Sequence, residues 1–104
     1  MERLEILKTL VEQNPRDVFA HYGLAMEFTK AGNFDDAVRE YRALIGLNPD
    51  YVAAYYHGGQ ALEKLAKFDE ARLMYRSGIE ATNRTNDAHA RSELEAALDL
   101  IGGM

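Results

Sequence analysis

The chain repeats its own pattern with a period of 34 residues. Its two prolines both follow an asparagine, and the dipeptides Asn14-Pro15 and Asn48-Pro49 stand 34 positions apart. When residues 18–51 are aligned with residues 52–85, ten of the 34 pairs are identical, whereas unrelated sequences would match at about two. Repeats of this length form one supersecondary unit each, and each unit buries its apolar face against its neighbours.

Helical periodicity divides each repeat into two helices. With a flanking helix at either end, the expected helices cover residues 2–13, 18–30, 35–47, 52–65, 69–81 and 87–101. Asp17 is expected to cap the second helix, and Gly32 to end it in a left-handed conformation. Ala66 and Asn83 replace Gly32 and Pro49 in the second repeat, so its turns are expected to be less sharply defined.

These helices predict a single all-α domain over residues 1–104. The domain comprises an N-terminal half-repeat helix, two repeats and a C-terminal capping helix, at 2–13, 18–51, 52–85 and 87–101. Ala37 and Ala71 occupy equivalent mid-helix positions, where a small side chain lets a neighbouring helix approach closely. Gly58 and Gly59 together cost about 2 kcal/mol relative to two alanines. Either close helix packing or a deliberate gap or hinge would account for them.

The composition excludes several classes of protein. Lys and Arg number 12 and Asp and Glu 17, a net charge of −5, whereas nucleic-acid-binding modules carry a basic excess. The absence of cysteine excludes disulfides and thiolate metal sites. No apolar run reaches the roughly 18 residues of a membrane span, and charges near the N-terminus do not fit a signal peptide. We expect a soluble, cytoplasmic protein with no nucleic-acid partner and no membrane attachment.

No group of residues indicates catalysis or a cofactor. Three histidines lie on different predicted helices and are expected to be ordinary groove or surface residues rather than metal ligands: His21, His57 and His89. Ser77 and Ser92 lack the surroundings of an activated nucleophile. Glu40 and Glu63 each adjoin a basic residue and are expected on solvated faces. The chain is therefore not expected to be an enzyme.

The residue types within each repeat resemble those of the tetratricopeptide repeat family. The matching residues are Leu24, Ala25, Phe28, Gly32, Phe34, Ala37, Tyr41 and Pro49 in the first repeat, and Tyr55, Gly59, Leu62, Phe68, Ala71 and Tyr75 in the second. His21 and Gly58 depart from the family pattern, where an aromatic residue and leucine are preferred. The resemblance implies a right-handed α-solenoid of antiparallel helix pairs, in which the first helix of each repeat lines a concave groove.

The resemblance further implies a scaffold that binds a peptide segment or a partner protein in this groove. The candidate contact residues are Phe19, Tyr22, Met26, Lys30, Tyr56, His57, Gln60, Lys64 and Arg91. Lys30, Lys64 and Arg91 would be available for an acidic group. Tyr22 and Met26 stand where the subset of the family that clamps chaperone C-termini needs Lys and Asn, so this clamp is not expected.

The alternative function is a structural self-assembly unit that homo-oligomerises through its terminal helices. The N-terminal helix carries more apolar residues than one neighbouring helix can cover: Leu4, Ile6, Leu7, Leu10 and Val11. Exposed apolar flanks of this kind mark contact sites, and a two-fold homodimer is the simplest closed assembly. The oligomeric state discriminates between the two functions.

Overall fold

A computed structural model describes residues 2–102 of the chain. Within this range the fold is all-α and has six helices: α1 (Arg3–Gln13), α2 (Val18–Lys30), α3 (Phe34–Leu47), α4 (Val52–Lys64), α5 (Phe68–Thr85) and α6 (Ala88–Leu100). Each helix packs against the next one along the chain, and α4 also contacts α6. The expected helical-repeat architecture is confirmed. None of the helices in the described range combines the length and apolar character needed to cross a membrane.

The turns inside the two repeats have the same geometry. Asn33 N–H donates to Phe28 O after α2, and Lys67 N–H donates to Leu62 O after α4, each at 2.9 Å. Gly32 has φ +79° and Ala66 has φ +57°, so alanine occupies the left-handed region that favours glycine. The expectation of a less defined turn at Ala66 is wrong, because packing of the flanking helices holds the same turn without the glycine.

The end of the second repeat does differ from the first. Helix α5 continues to Thr85, about one turn beyond the expected end, because Asn83 replaces the proline that stops α3 and keeps its N–H. Asn86, with φ +56°, then ends the helix.

The first helix of each of two units is capped by an aspartate. The Asp17 side chain accepts a hydrogen bond from Ala20 N–H at the start of α2, and the Asp87 side chain accepts one from Ala90 N–H at the start of α6. These equivalent caps are 70 residues apart, two more than twice the 34-residue period, so α6 starts two residues later than that period predicts.

Small residues permit close helix contacts in the core. Ala37 and Ala71 are fully buried, as the sequence predicted. A Cβ on Gly59 would lie 2.1 Å from Cε1 of the buried Tyr75, whereas a Cβ on Gly58 would find its nearest neighbour, the Met74 methyl group, at 3.3 Å. Close packing therefore explains why residue 59 is glycine, whereas the structure does not require glycine at position 58.

Candidate functional site

Helices α2, α4 and α6 contribute side chains to one face of the molecule, here called the α2–α4–α6 face. Its centre is an aromatic cluster formed by Tyr22, Tyr51, Tyr56 and His57. The Tyr22 ring lies 5.3 Å from Tyr51 and 6.1 Å from His57 between centroids, and Tyr56 meets His57 edge-on at 5.6 Å. The cluster thus joins residues of both repeats into one continuous surface.

The two repeats build the floor of this face in the same way. Tyr41 and Tyr75 are equivalent, fully buried tyrosines. The Tyr41 hydroxyl lies 3.1 Å from the sulfur of Met26, and the Tyr75 hydroxyl accepts from Gln60 Nε2 at 2.8 Å. Met26 and Gln60 are themselves 34 residues apart. Two of the predicted contact residues are therefore positioned by the core beneath them.

The tyrosines of the chain fall into two groups by their hydroxyl partners. Tyr41 and Tyr75 have the partners just described, and the Tyr55 hydroxyl donates to Pro49 O at 2.6 Å. The hydroxyls of Tyr22, Tyr51 and Tyr56 have no hydrogen-bond partner within residues 2–102, and all three rings are half-buried. These three side chains each present an apolar ring and a free polar tip, which is a combination suited to contact with another molecule.

The electrostatics of the cluster follow from burial. Burial lowers the pKa of His57 from its ordinary value of 6.5, and nearby Glu93 only partly opposes this shift. The ring is therefore neutral at pH 7. Burial also raises the pKa of Tyr22, with a further contribution from Tyr51. Neither group supplies a charge to the centre of the face at neutral pH.

A recess lies between α4 and α6, next to the aromatic cluster. It consists of two adjoining cavities of about 300 and 350 Å³ that share Tyr56 and Glu93; we call them together the α4–α6 recess. Its lining includes three carboxylates, those of Glu63, Asp87 and Glu93, and no Lys or Arg. Glu63, expected on a solvated face, accepts a hydrogen bond from the Tyr75 hydroxyl instead.

The cationic candidates lie at the margins of this face or outside it. Lys30 is exposed and lies 3.6 Å from Glu27, while Lys64 is exposed at the end of α4. The basic groups therefore do not converge with the aromatic cluster on a site for an acidic ligand. The remaining apolar candidate, Phe19, lies at the start of α2 and is 80% exposed.

The structure corrects the repeat position that the 34-residue period predicts for Arg91. Because α6 starts two residues late, Arg91 is equivalent to His21 rather than to a groove position. His21 Nε2 donates to Pro15 O at 2.6 Å, and Arg91 Nη1 donates to Asn83 Oδ1 at 3.0 Å. Asn83 stands one period after Pro49 and two after Pro15. Arg91 therefore ties α6 to the end of α5 and does not line the α4–α6 recess.

The corrected register brings two unpredicted residues to the face. Glu93 and His89 line the α4–α6 recess, and His89 Nε2 lies 3.6 Å from Glu93 Oε1. The spacing of the two capping aspartates, Asp17 and Asp87, is the sequence signal that reveals this register. A prediction based on the 34-residue period alone misses it.

His21 and Glu40 also differ from expectation. His21 is only 6% exposed, and its Nδ1 lies 2.8 Å from Glu40 Oε1. These residues form a buried contact between α2 and α3 rather than groove or surface positions. Neither contributes to the α2–α4–α6 face.

Two further surface features lie outside this face. A recess of about 500 Å³ between α3 and α5 is lined by apolar groups such as Ile45 and Leu73, with Arg42 and Glu70 also in its lining. These last two form an ion pair at 3.0 Å. On α1, the side chains of Ile6 and Leu10 are 43% and 42% exposed.

Comparison with known proteins identifies the family. A family model described as "Tetratricopeptide repeat" matches residues 22–88. An NMR structure of a tetratricopeptide repeat domain protein from Salinibacter ruber is 35% identical, with a TM-score of 0.79 over 88% of this chain and 92% of that one. A crystal structure of a tetratricopeptide repeat domain protein from the same organism is also 35% identical, with a TM-score of 0.76 over 85% of this chain and 98% of that one.

A solution structure from Bordetella parapertussis shares the fold. It has a TM-score of 0.82 at 23% identity and covers 97% of this chain and 88% of that one. No curated protein gives a significant match to the sequence. The family match covers most of the first repeat and all of the second, and the Salinibacter structures reproduce most of the helical arrangement. The chain therefore belongs to the tetratricopeptide repeat family.

Proposed function

We propose that this domain binds an extended segment of a partner protein along the α2–α4–α6 face. The tetratricopeptide repeat is a fold that generally mediates protein–protein interaction. The observation that carries the proposal is the pair Tyr22 and Tyr56. They occupy the same face in successive repeats, flank His57, and have hydroxyls without a partner within residues 2–102.

The binding mechanism rests on preformed shape. The rings of the aromatic cluster offer apolar contact, and they lose little conformational entropy because Tyr22, Tyr56 and His57 already pack against one another. The hydroxyls of the two tyrosines are placed to hydrogen-bond to the backbone of a bound segment. The adjacent α4–α6 recess accepts side chains of that segment. This arrangement requires neither a cofactor nor a catalytic group.

Affinity capture from lysate of the source organism tests the proposal. A Tyr22→Ala/Tyr56→Ala variant should lose proteins that the wild type retains, while its circular dichroism spectrum keeps its helical signal. Leu73→Ala is the matched control, because Leu73 is 62% exposed but lies between α3 and α5. If the double variant and the control capture the same proteins as wild type, the assignment of this face is wrong.

Self-association through α1 is the second candidate function. Ile6 and Leu10 are one helical turn apart and both exposed, so they form an apolar flank next to the surface that packs on α2. By contrast, α6 places Arg91 Nε 3.5 Å from Glu95 in an exposed ion pair, which is typical of a capping helix. A dimer through α1 should dissociate in Ile6→Glu. A single species of 11.7 kDa at all concentrations in sedimentation equilibrium would rule it out.

A further inference from the structure

The α4–α6 recess has an unbalanced charge. Of its three carboxylates, Asp87 caps the Ala90 amide, Glu63 accepts from the neutral Tyr75 hydroxyl, and Glu93 Oε1 lies 3.6 Å from His89 Nε2. None of them lies within ion-pair distance of a Lys or Arg in residues 2–102.

Many carboxylates elsewhere on the molecule have a basic partner. Eight of them lie within 4.0 Å of an Arg or Lys nitrogen: Glu5, Glu27, Asp35, Asp36, Asp50, Asp69, Glu70 and Glu95. Carboxylates outside the recess such as Asp17 and Glu40 also lack an Arg or Lys partner among residues 2–102. The recess differs because three carboxylates without such a partner line one concave surface. Burial keeps His57 neutral at pH 7, so the cluster next to the recess does not offset the charge.

We infer that the α4–α6 recess takes Lys or Arg side chains, and that the bound segment is basic. The inference rests on the proposed function and names the chemistry of its partner. An acidic segment would meet like charges at Glu63 and Glu93. A basic one would complement them, and the net charge of −5 would favour its approach.

The shape of the recess suits a long basic side chain. Leu94, Ala96 and Ala97 supply apolar surface along α6, against which the methylene stem of Lys or Arg packs while its charged end reaches a carboxylate. Tyr56 lines both cavities, so its ring is available for a cation–π contact. Glu93, which is also shared by the two cavities, is the natural partner of the cation.

The test uses three capped peptides of about ten residues that differ only in whether their polar positions carry Lys, Gln or Glu. Each is titrated into ¹⁵N-labelled protein, and amide shifts are followed by NMR. The Lys peptide should shift amides of α4 and α6 around Tyr56 and Glu93, with an affinity that falls as salt is added. The Glu peptide should bind at least about tenfold more weakly, which corresponds to about 1.4 kcal/mol.

A matched pair of variants assigns the effect to the recess. Glu63→Gln/Glu93→Gln should weaken binding of the Lys peptide about tenfold or more. Glu12→Gln/Glu80→Gln removes the same charge from exposed positions outside the recess. This control should change the affinity for the Lys peptide by less than about twofold. Equal losses in both variants would mean nonspecific attraction and would overturn the inference.

The outcomes separate this inference from the proposed function. If the Lys and Glu peptides bind equally well at the same amides, the face binds peptides but is not selective for basic ones. If the Lys peptide shifts no amides of α4 and α6, the basic specificity is also overturned. The role of the face itself is then decided by the capture experiment with Tyr22 and Tyr56.

Discussion

Replacing each of the neighbouring glycines of α4, Gly58 and Gly59, by alanine should change the stability of the fold in opposite directions. At either position alanine favours the helical conformation by about 1 kcal/mol relative to glycine. At Gly59, however, the new Cβ would lie 2.1 Å from Cε1 and 2.6 Å from Cδ1 and Cζ of Tyr75. Ordinary carbon contacts are about 3.5–4.0 Å, so the ring or the helix must move by roughly 1.5 Å.

Tyr75 has little freedom to make this movement. Its side chain is fully buried, and its hydroxyl is held by Gln60 and Glu63. Overpacking of a core costs about 1–3 kcal/mol, and a lost hydrogen bond about 1 kcal/mol more. After the gain in helix propensity, Gly59→Ala should be destabilised by about 1–3 kcal/mol. The new Cβ of Gly58→Ala would meet the flexible methyl group of Met74 at 3.3 Å and Tyr41 Cβ at an ordinary contact distance of 3.5 Å. This variant should be unchanged or more stable by up to about 1 kcal/mol.

Urea denaturation followed by circular dichroism measures both effects as changes in midpoint at constant m-value. In thermal melts, Gly59→Ala should lower Tm by at least about 4 °C. A Tyr75→Leu background removes the clashing ring atoms, so the cost of Gly59→Ala should shrink there. Equal stability of Gly58→Ala and Gly59→Ala in the wild-type background would refute the packing argument.

Three further predictions concern a turn, a core position and a titrating group. Ala66→Gly should stabilise the fold by about 1 kcal/mol in urea denaturation, because φ at this position is +57°; a loss of stability would contradict the left-handed turn. Ala71→Leu should cost about 1–3 kcal/mol at its fully buried position, and a melting point equal to wild type would show that the helices do not approach closely there. Burial lowers the pKa of His57, so the unfolded chain binds its proton more readily and wild type loses stability as pH falls through about 6.5. His57→Gln should lose less stability than wild type between about pH 7.5 and 5.5, and parallel curves would mean that His57 titrates alike in both states.

The sequence predicted the helices well because their periodicity and breakers are local signals. The bounds of α2 match the predicted 18–30, where Asp17 and Gly32 mark the two ends. The extension of α5 to Thr85 was missed because Asn83 only removes a stop signal, and whether a helix then continues depends on packing. The longer α5 and the shorter connection that follows it together delay the start of α6 by two residues, which moves Arg91 off the predicted face.

Contacts between distant segments were the least predictable. The sequence marks Gly59 as unusual, but the need for glycine arises from the Tyr75 ring on the neighbouring helix. Likewise, Glu40 adjoins a basic residue in sequence yet meets His21 across a helix pair. Tyr22 and Tyr56 both contact His57, because equivalent positions of a repeat share their orientation; their role as contact residues stays a prediction.

Site-specific photo-crosslinking tests the role of the α2–α4–α6 face most directly. A benzophenone side chain is placed at Ala53, which lines the α4–α6 recess next to the aromatic cluster, or at Leu73, which is exposed between α3 and α5. After irradiation in lysate of the source organism, the Ala53 probe should form a discrete adduct with a partner protein, and Tyr22→Ala in the same chain should diminish it. An adduct formed from Leu73 but not from Ala53 would contradict the account.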